Sequence, residues 1–232
     1  MLLEQGAGSA GELESLVAGR ESGVPLETLL GWAEFRGRRV LVAPGVFVPR
    51  RRTGLLAAEA LALLRTGDVV VDLCCGSGAV GSALLAEGPA TRMYLCDIDP
   101  AATACAARNV GTDATVLTGD LFAPLPAALL GRIDVLVANA PYVPTDDIAL
   151  MPPEARQHEA RIALDGGADG LDVQRRIVAD ARQWLSPAGT LLVETSGRQA
   201  AATARLFRAG GLLPRVVRSP ELDATVVAGG PA

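Results

Sequence analysis

The chain has no lysine and a single histidine, His158; all 21 of its basic residues are arginines. Without lysine there is no Schiff base and no lysine general base. The lysine deficit itself reads as a coding bias of the source genome. One histidine cannot supply a Ser-His-Asp or Cys-His pair over most of the surface. Four cysteines, Cys74, Cys75, Cys96 and Cys105, lack zinc-type spacing and have no histidine cluster beside them, so no metal site is expected. Reduced thiols in a cytoplasmic protein are the default. No apolar run approaches ~18 residues, so no membrane span is indicated. The N-terminus has no basic region followed by an apolar one, so no export signal is indicated. A net charge of −5 argues against a general nucleic-acid binder.

What is present is a chain of 232 residues, half of them hydrophobic, which suits one α/β domain with a small appendage. Residues 1–9 are expected to be disordered. Two short helices follow, over residues 11–18 and 25–30, with Pro25 tolerated in the first turn. Neither can bury much alone. Two β-rich runs, Arg39–Val42 and Val46–Val48, flank Ala43-Pro-Gly45 and predict a hairpin. Arg36, Arg38, Arg39, Arg50, Arg51 and Arg52 fall between residues 36 and 52 with no acid among them. This cluster could attract RNA or an acidic partner, or it could be a solvated face paired to the domain. A helix is predicted over Thr53–Arg65.

From there strands and helices alternate. Strands are predicted at Val69–Leu73, Met93–Cys96, Thr115–Leu117, Ile133–Ala138 and Thr190–Glu194. Helices are predicted at Ala79–Ala86, Ala101–Arg108, Leu171–Leu185 and Ala200–Ala209. Pro214–Val217 and Ala224–Ala228 predict a closing antiparallel pair. Such alternation predicts a parallel sheet with helices on both faces. The division expected is a helical segment over 1–35, a hairpin linker over 36–52 and a main domain over 53–232.

Ligands bind outside the carboxyl ends of strands in such sheets. Asp72 ends the first core strand, and Cys74-Cys-Gly-Ser-Gly78 leads into a helix, with Gly76 and Gly78 allowing close backbone approach. The loop is not G-x-G-x-x-G, so a pyrophosphate cradle is disfavoured. Asp97 ends the second strand and can take two ribose hydroxyls. Asp120 ends the third and suits an adenine amino group. Asp99-Pro100 reads as a helix N-cap, which leaves Asp97 as the ribose candidate. Three acids suit a neutral ribose and a cationic sulfonium, which points to S-adenosyl-L-methionine. Asn139-Ala-Pro-Tyr142 ends the fourth strand, where Asn139 and Tyr142 could hold a planar amide or amine.

Four stretches resemble the HemK/PrmC family of protein-(glutamine-N5) methyltransferases: Gly31-Trp-Ala-Glu-Phe-Arg-Gly37, Val46-Phe-Val-Pro-Arg50, Asn139-Ala-Pro-Tyr-Val-Pro144, and His158-Glu159 with Ala163-Leu-Asp-Gly-Gly-Ala-Asp-Gly-Leu171. The resemblance spans Gly31 to about Ala228. It implies an α/β class I S-adenosylmethionine-dependent methyltransferase, with a Rossmann-like seven-stranded sheet whose last strand is antiparallel. It implies cofactor contacts from Cys74, Cys75, Gly76, Ser77, Gly78, Asp97, Leu121 and Asn139, and Asp72 and Asp120 at the strand ends, with Ile98 beside Asp97, are expected to join them. Substrate contacts would come from Asn139, Ala140, Pro141 and Tyr142, with Asn139 and Tyr142 catalytic. The implied partner is a protein carrying a glutamine, such as a release factor.

The match departs from the family at three places. Ala140 replaces a proline, Arg52 and Gly54 stand where acids are usual, and Ala160 replaces the proline after His-Glu. The family's N-terminal helical domain is also several times longer, which places the chain in a PrmC-related subgroup. Apolar surface left by the short N-terminus could favour a homodimer. His158 reads as a structural partner of Glu154, Glu159 or a backbone carbonyl. Competing readings are an exocyclic-amine methyltransferase on adenine or cytosine, a small-molecule N-methyltransferase, and a catalytically silent cofactor-binding partner protein.

Overall fold

The computed structural model describes residues 10–232; the expectation for residues 1–9 lies outside them. Two helices, α1 (Ala10–Glu21) and α2 (Leu26–Leu30), lead into a two-stranded hairpin, β1 (Trp32–Phe35) and β2 (Arg38–Leu41). Helix α3 (Gly54–Leu61) opens the main domain. It contains β3 (Val69–Leu73), α4 (Ala79–Glu87), β4 (Arg92–Asp97), α5 (Pro100–Val110), β5 (Ala114–Thr118), β6 (Ile133–Ala138), α6 (Pro153–His158), α7 (Asp172–Trp184), β7 (Leu185–Thr195), α8 (Ala200–Ala209), β8 (Leu212–Ser219) and β9 (Ala224–Pro231).

The seven strands of the main sheet run in the order β5-β4-β3-β6-β7-β9-β8. Strands β3 to β7 pair in parallel, and β9 runs antiparallel to both β7 and β8. The chain-terminal strand is thus the antiparallel one, as the sequence predicts. Every residue of β3 is buried, the signature of a parallel strand covered on both faces. Alternation sorts the side chains. Val69, Val71, Leu73, Leu136, Ala138, Leu191 and Val193 face α7 and α8, where Ile177, Trp184 and Phe207 complete one core. Val70, Val135, Val137 and Leu192 face α3, α4 and α5 in the other.

The hairpin is not where the sequence suggests. Its turn is Arg36-Gly37, both with positive φ (53° and 74°), and Trp32 pairs with Leu41. Positive φ at both central positions matches the twist of a two-residue hairpin. Ala43-Pro-Gly45 makes a separate turn, and Gly45 instead bridges to Glu159. The predicted helix over Thr53–Arg65 is shorter, and a 3-10 turn, Arg51–Thr53, precedes it. Strand β7 begins five residues before the expected start, because Leu185 already pairs with Ile133 across a register shift.

The arginine cluster is largely tied to its own chain. Arg36 makes a forked contact to Glu87, with Nη2 2.5 Å from Oε2. Arg39 stacks 4.3 Å over the Trp32 ring, Arg50 pairs with Glu159 at 2.6 Å, and Arg52 lies 3.6 Å from Glu194. The solvated, internally paired reading therefore describes these four.

Phe207 is fully buried between α8 and the sheet. Phe207→Ala is expected to cost about 3–5 kcal/mol of unfolding free energy, measured by urea denaturation. A loss under about 1 kcal/mol would mean that this half of the core is not close-packed.

Candidate active site

The parallel strands diverge from β3, with β4 and β5 on one side and β6 and β7 on the other. Successive loops leave such a point in opposite directions and open a crevice there. One cavity occupies it. Asp72, Cys74, Cys75, Gly76, Ser77, Asp97, Ile98, Asp120 and Leu121 line one half, and Asn139, Ala140, Pro141 and Tyr142 line the other. Every sequence-predicted site residue is brought together here except Gly78. A Cβ at Gly78 would sit 3.0 Å from both Ala106 and Leu95. That glycine lets α4 pack closely on α5 and β4, and does not face the cavity.

The first half is built from constrained backbone. Cys74 and Leu121 adopt positive φ (55° and 49°) without being glycine. Such conformations are costly and concentrate at functional sites. Asp97 bends the loops together: Oδ2 accepts from the Gly76 N–H at 2.9 Å and Oδ1 from the Asp99 N–H at 3.0 Å. Asp99 caps α5 by accepting from the Ala101 N–H at 2.8 Å, with Pro100 in the first turn. The sequence assignment of Asp99 as a cap holds, and Asp97 lines the cavity. Asp120 lines the cavity, but its carboxylate is partnered by Arg176 of α7 at 2.6 Å. Cys75 and Cys96 are buried, and burial raises the thiols of Cys74, Cys75 and Cys96, so these are packing groups rather than nucleophiles.

The second half depends on residues that motif reading missed. Glu194, at the end of β7, is 2% exposed. Its Oε1 accepts from the Tyr142 hydroxyl at 3.3 Å and lies 3.6 Å from Arg52 Nε. Thr53 is buried, and its Oγ1 accepts from Asn139 Nδ2 at 3.5 Å. The signal for Glu194 was available: it ends a core strand at the same sheet edge as Asp72, Asp97 and Asn139. Thr53 carried no motif.

The loop after Tyr142 is clamped from two sides. Gln199 Nε2 donates to the carbonyls of Tyr142 (2.9 Å) and Asp169 (3.1 Å). Gly170 has a φ of 74°, and any side chain there would strike the Tyr142 carbonyl. Glu159 joins two of the stretches singled out in the sequence. Its Oε1 accepts from the Val48 N–H at 3.1 Å and from Arg50 at 2.6 Å, and Arg50 in turn stacks over Phe47 on the cavity wall. His158 lies outside the cavity lining. Its Nε2 is buried without a partner, while Glu154 pairs with Arg20 and Glu159 with Arg50. The expected pairing of His158 with either acid is therefore not formed.

Burial raises the carboxyls of Asp97, Glu159 and Glu194, and pushes Asp72 up to about 7 against the hydrogen bond from Gly81. Asp72 and Asp97 line the cavity, and their carboxylates would attract a cation bound there. For Asp72 the folded chain keeps its proton to a higher pH than the unfolded chain does. Its contribution to stability therefore declines as pH rises from about 4 to about 7. Asp72→Asn is expected to unfold at higher urea than the natural chain at pH 8, with the gap closing near pH 4. A gap that does not change with pH would remove Asp72 as its source.

The family described as methyltransferase small domain matches residues 38–210. A release factor glutamine methyltransferase of Geobacter sulfurreducens is 39% identical over 199 residues, which cover 84% of this chain and 69% of that one. A 4-amino-L-phenylalanine/4-methylamino-L-phenylalanine methyltransferase of Streptomyces pristinaespiralis is 37% identical, over 81% of this chain and 66% of that one. Among solved structures, a ribosomal protein L11 methylase from Lactobacillus delbrueckii subsp. bulgaricus shares the fold, with a TM-score of 0.60 at 14% identity, covering 83% of this chain and 84% of that one. The motifs at the cavity and these matches together place the chain in the methyltransferase small domain family, among the release factor glutamine methyltransferases.

Proposed function

We propose that this protein transfers a methyl group from S-adenosyl-L-methionine to the side-chain amide nitrogen of a glutamine presented by a protein. The observation that carries this reading is Asn139 and Tyr142 at the carboxyl end of β6, sharing one cavity with the carboxylate-lined loops of β3 and β4. The cofactor fits that half on the chemistry of its donors. Asp97 is already oriented by two backbone N–H groups and is the residue to hold ribose hydroxyls. Backbone of Cys74 to Ser77 lines the floor, and Ile98 and Leu121 offer apolar walls. Bound there, S-adenosyl-L-methionine supplies a methyl group carried on a cationic sulfur.

The rest of the chemistry falls to alignment. An amide nitrogen is a weak nucleophile because its lone pair is delocalised into the carbonyl. Asn139 Nδ2 points to Thr53, which leaves Oδ1 as an acceptor for one amide hydrogen. The residue-140 carbonyl is the candidate for the other, and alanine carries it as well as proline would. Pro141 still restricts residue 140 to extended backbone. The Tyr142 ring can cover the planar amide, with its hydroxyl anchored on Glu194. Holding both hydrogens favours the pyramidal nitrogen that attack requires. No lysine or histidine is called on, and the proton leaves after transfer. The four free cysteines suit a reducing compartment, so we place the protein in the cytoplasm. Among the described residues no helix is long and apolar enough to cross a membrane.

A free aromatic amine is the second reading. It is favoured by the 37% identity to the Streptomyces pristinaespiralis enzyme and uses the same two residues. The test is transfer of labelled methyl from S-adenosyl-L-methionine into a lysate of the host, with and without Asn139→Ala. The expected result is label that protease releases and mass spectrometry traces to glutamine. Asn139→Ala is expected to reduce this by at least about a hundredfold while cofactor affinity stays within a few fold. Label confined to a small amine would replace the first reading with the second. Label released only by nuclease would contradict both.

A further inference from the structure

We infer that Glu194 is a positioning residue that sets the orientation of Tyr142, one of the two acceptor-binding side chains. This rests on the reading of Asn139 and Tyr142 as the acceptor clamp. Glu194 closes β7, next to β6 in the sheet, so it stands one strand away from the clamp. It is 2% exposed, and its carboxyl is raised mainly by burial. A group held there at such a cost must be offset by its neighbours. Two of them converge on Oε1: Tyr142 donates to it at 3.3 Å, and Arg52 Nε lies 3.6 Å away. Oε2 is sealed from solvent without a hydrogen-bond partner, so Tyr142 and Arg52 carry the carboxylate.

The carboxylate holds the Tyr142 hydroxyl and thereby fixes the plane of the ring that would cover the incoming amide. A neutral residue at 194 accepts more weakly from the phenol and leaves Arg52 without its counter-charge, so the ring is freer to turn. Burial and the Glu194 charge push the Tyr142 phenol up to about 12.

Glu194→Gln keeps the volume and removes the charge. Rates of methyl transfer to a protein digest rich in glutamine are compared for Glu194→Gln, Tyr142→Phe and the double variant, with S-adenosylhomocysteine affinity by calorimetry. The expected result is a kcat about tenfold to a hundredfold lower for Glu194→Gln, with S-adenosylhomocysteine affinity within about twofold. The double variant is expected to be little worse than the poorer single one, because both break one connection. Full kcat in Glu194→Gln, or penalties that simply multiply, would overturn the inference. Should Glu194→Gln not fold, Glu194→Asp, which shortens the reach to the Tyr142 hydroxyl, is read in the same way. Should the natural chain transfer nothing to glutamine, the proposed acceptor fails, but the positioning claim is still read in tyrosine 13Cζ titrations. There the Tyr142 transition is expected to move to lower pH in Glu194→Gln; no movement would overturn it.

Discussion

The molecule depends on the point where its parallel sheet changes direction. Strand β3 is buried on both faces and has β4 and β6 as its two neighbours. Because the chain winds outward from β3 in both directions, the loops at its carboxyl end part and leave a crevice. That geometry places Asp72, Asp97 and the loop from Cys74 to Ser77 on one side and Asn139 to Tyr142 on the other. A donor and an acceptor held in these halves would meet over the end of β3. The close-packed cores on the two faces of the sheet keep those strand ends in register, since a slip of one residue would invert every side chain.

Charge is distributed across the same division. Carboxylates crowd the β3–β4 half and are raised by burial, an environment that a cation would relieve. In the β6–β7 half the buried carboxylate of Glu194 faces Arg52 and accepts from Tyr142. Arg52 stands where the resembled family has an acid, and here it gives Glu194 a counter-charge at the cavity wall. The arginines beside it have similarly local duties. Arg50 ties the Val46–Arg50 stretch to Glu159 and so joins the segment before α3 to the long excursion between β6 and α7.

Much of this was legible in the sequence. Core strands such as Val69–Leu73 and Ile133–Ala138 are continuous apolar runs between turn signals, and their bounds coincide with the structure. Asp97 and Asn139 could be placed because strand ends in a parallel sheet point to one edge. Asp99 could be set aside because Asp-Pro at a helix start has a capping geometry. The hairpin was misplaced because Ala43-Pro-Gly45 has stronger turn chemistry than Arg36-Gly37, and an arginine at φ 53° is not something its residue type advertises. Gly78 was read as a ligand-facing glycine, whereas its requirement comes from the distant residues Leu95 and Ala106. Thr53 and Gln199 were missed for the same reason: Thr53 contacts Asn139, 86 positions away, and Gln199 contacts Tyr142, 57 positions away, and no local pattern encodes either.

The most direct test of the divided cavity is a crystal structure of the protein with S-adenosylhomocysteine and a glutamine-containing peptide. The expected result has ribose hydroxyls on Asp97, and the glutamine amide between Asn139 Oδ1 and the residue-140 carbonyl, beneath Tyr142. A nucleoside bound elsewhere, or a glutamine that lies outside the β6–β7 half, would contradict the account.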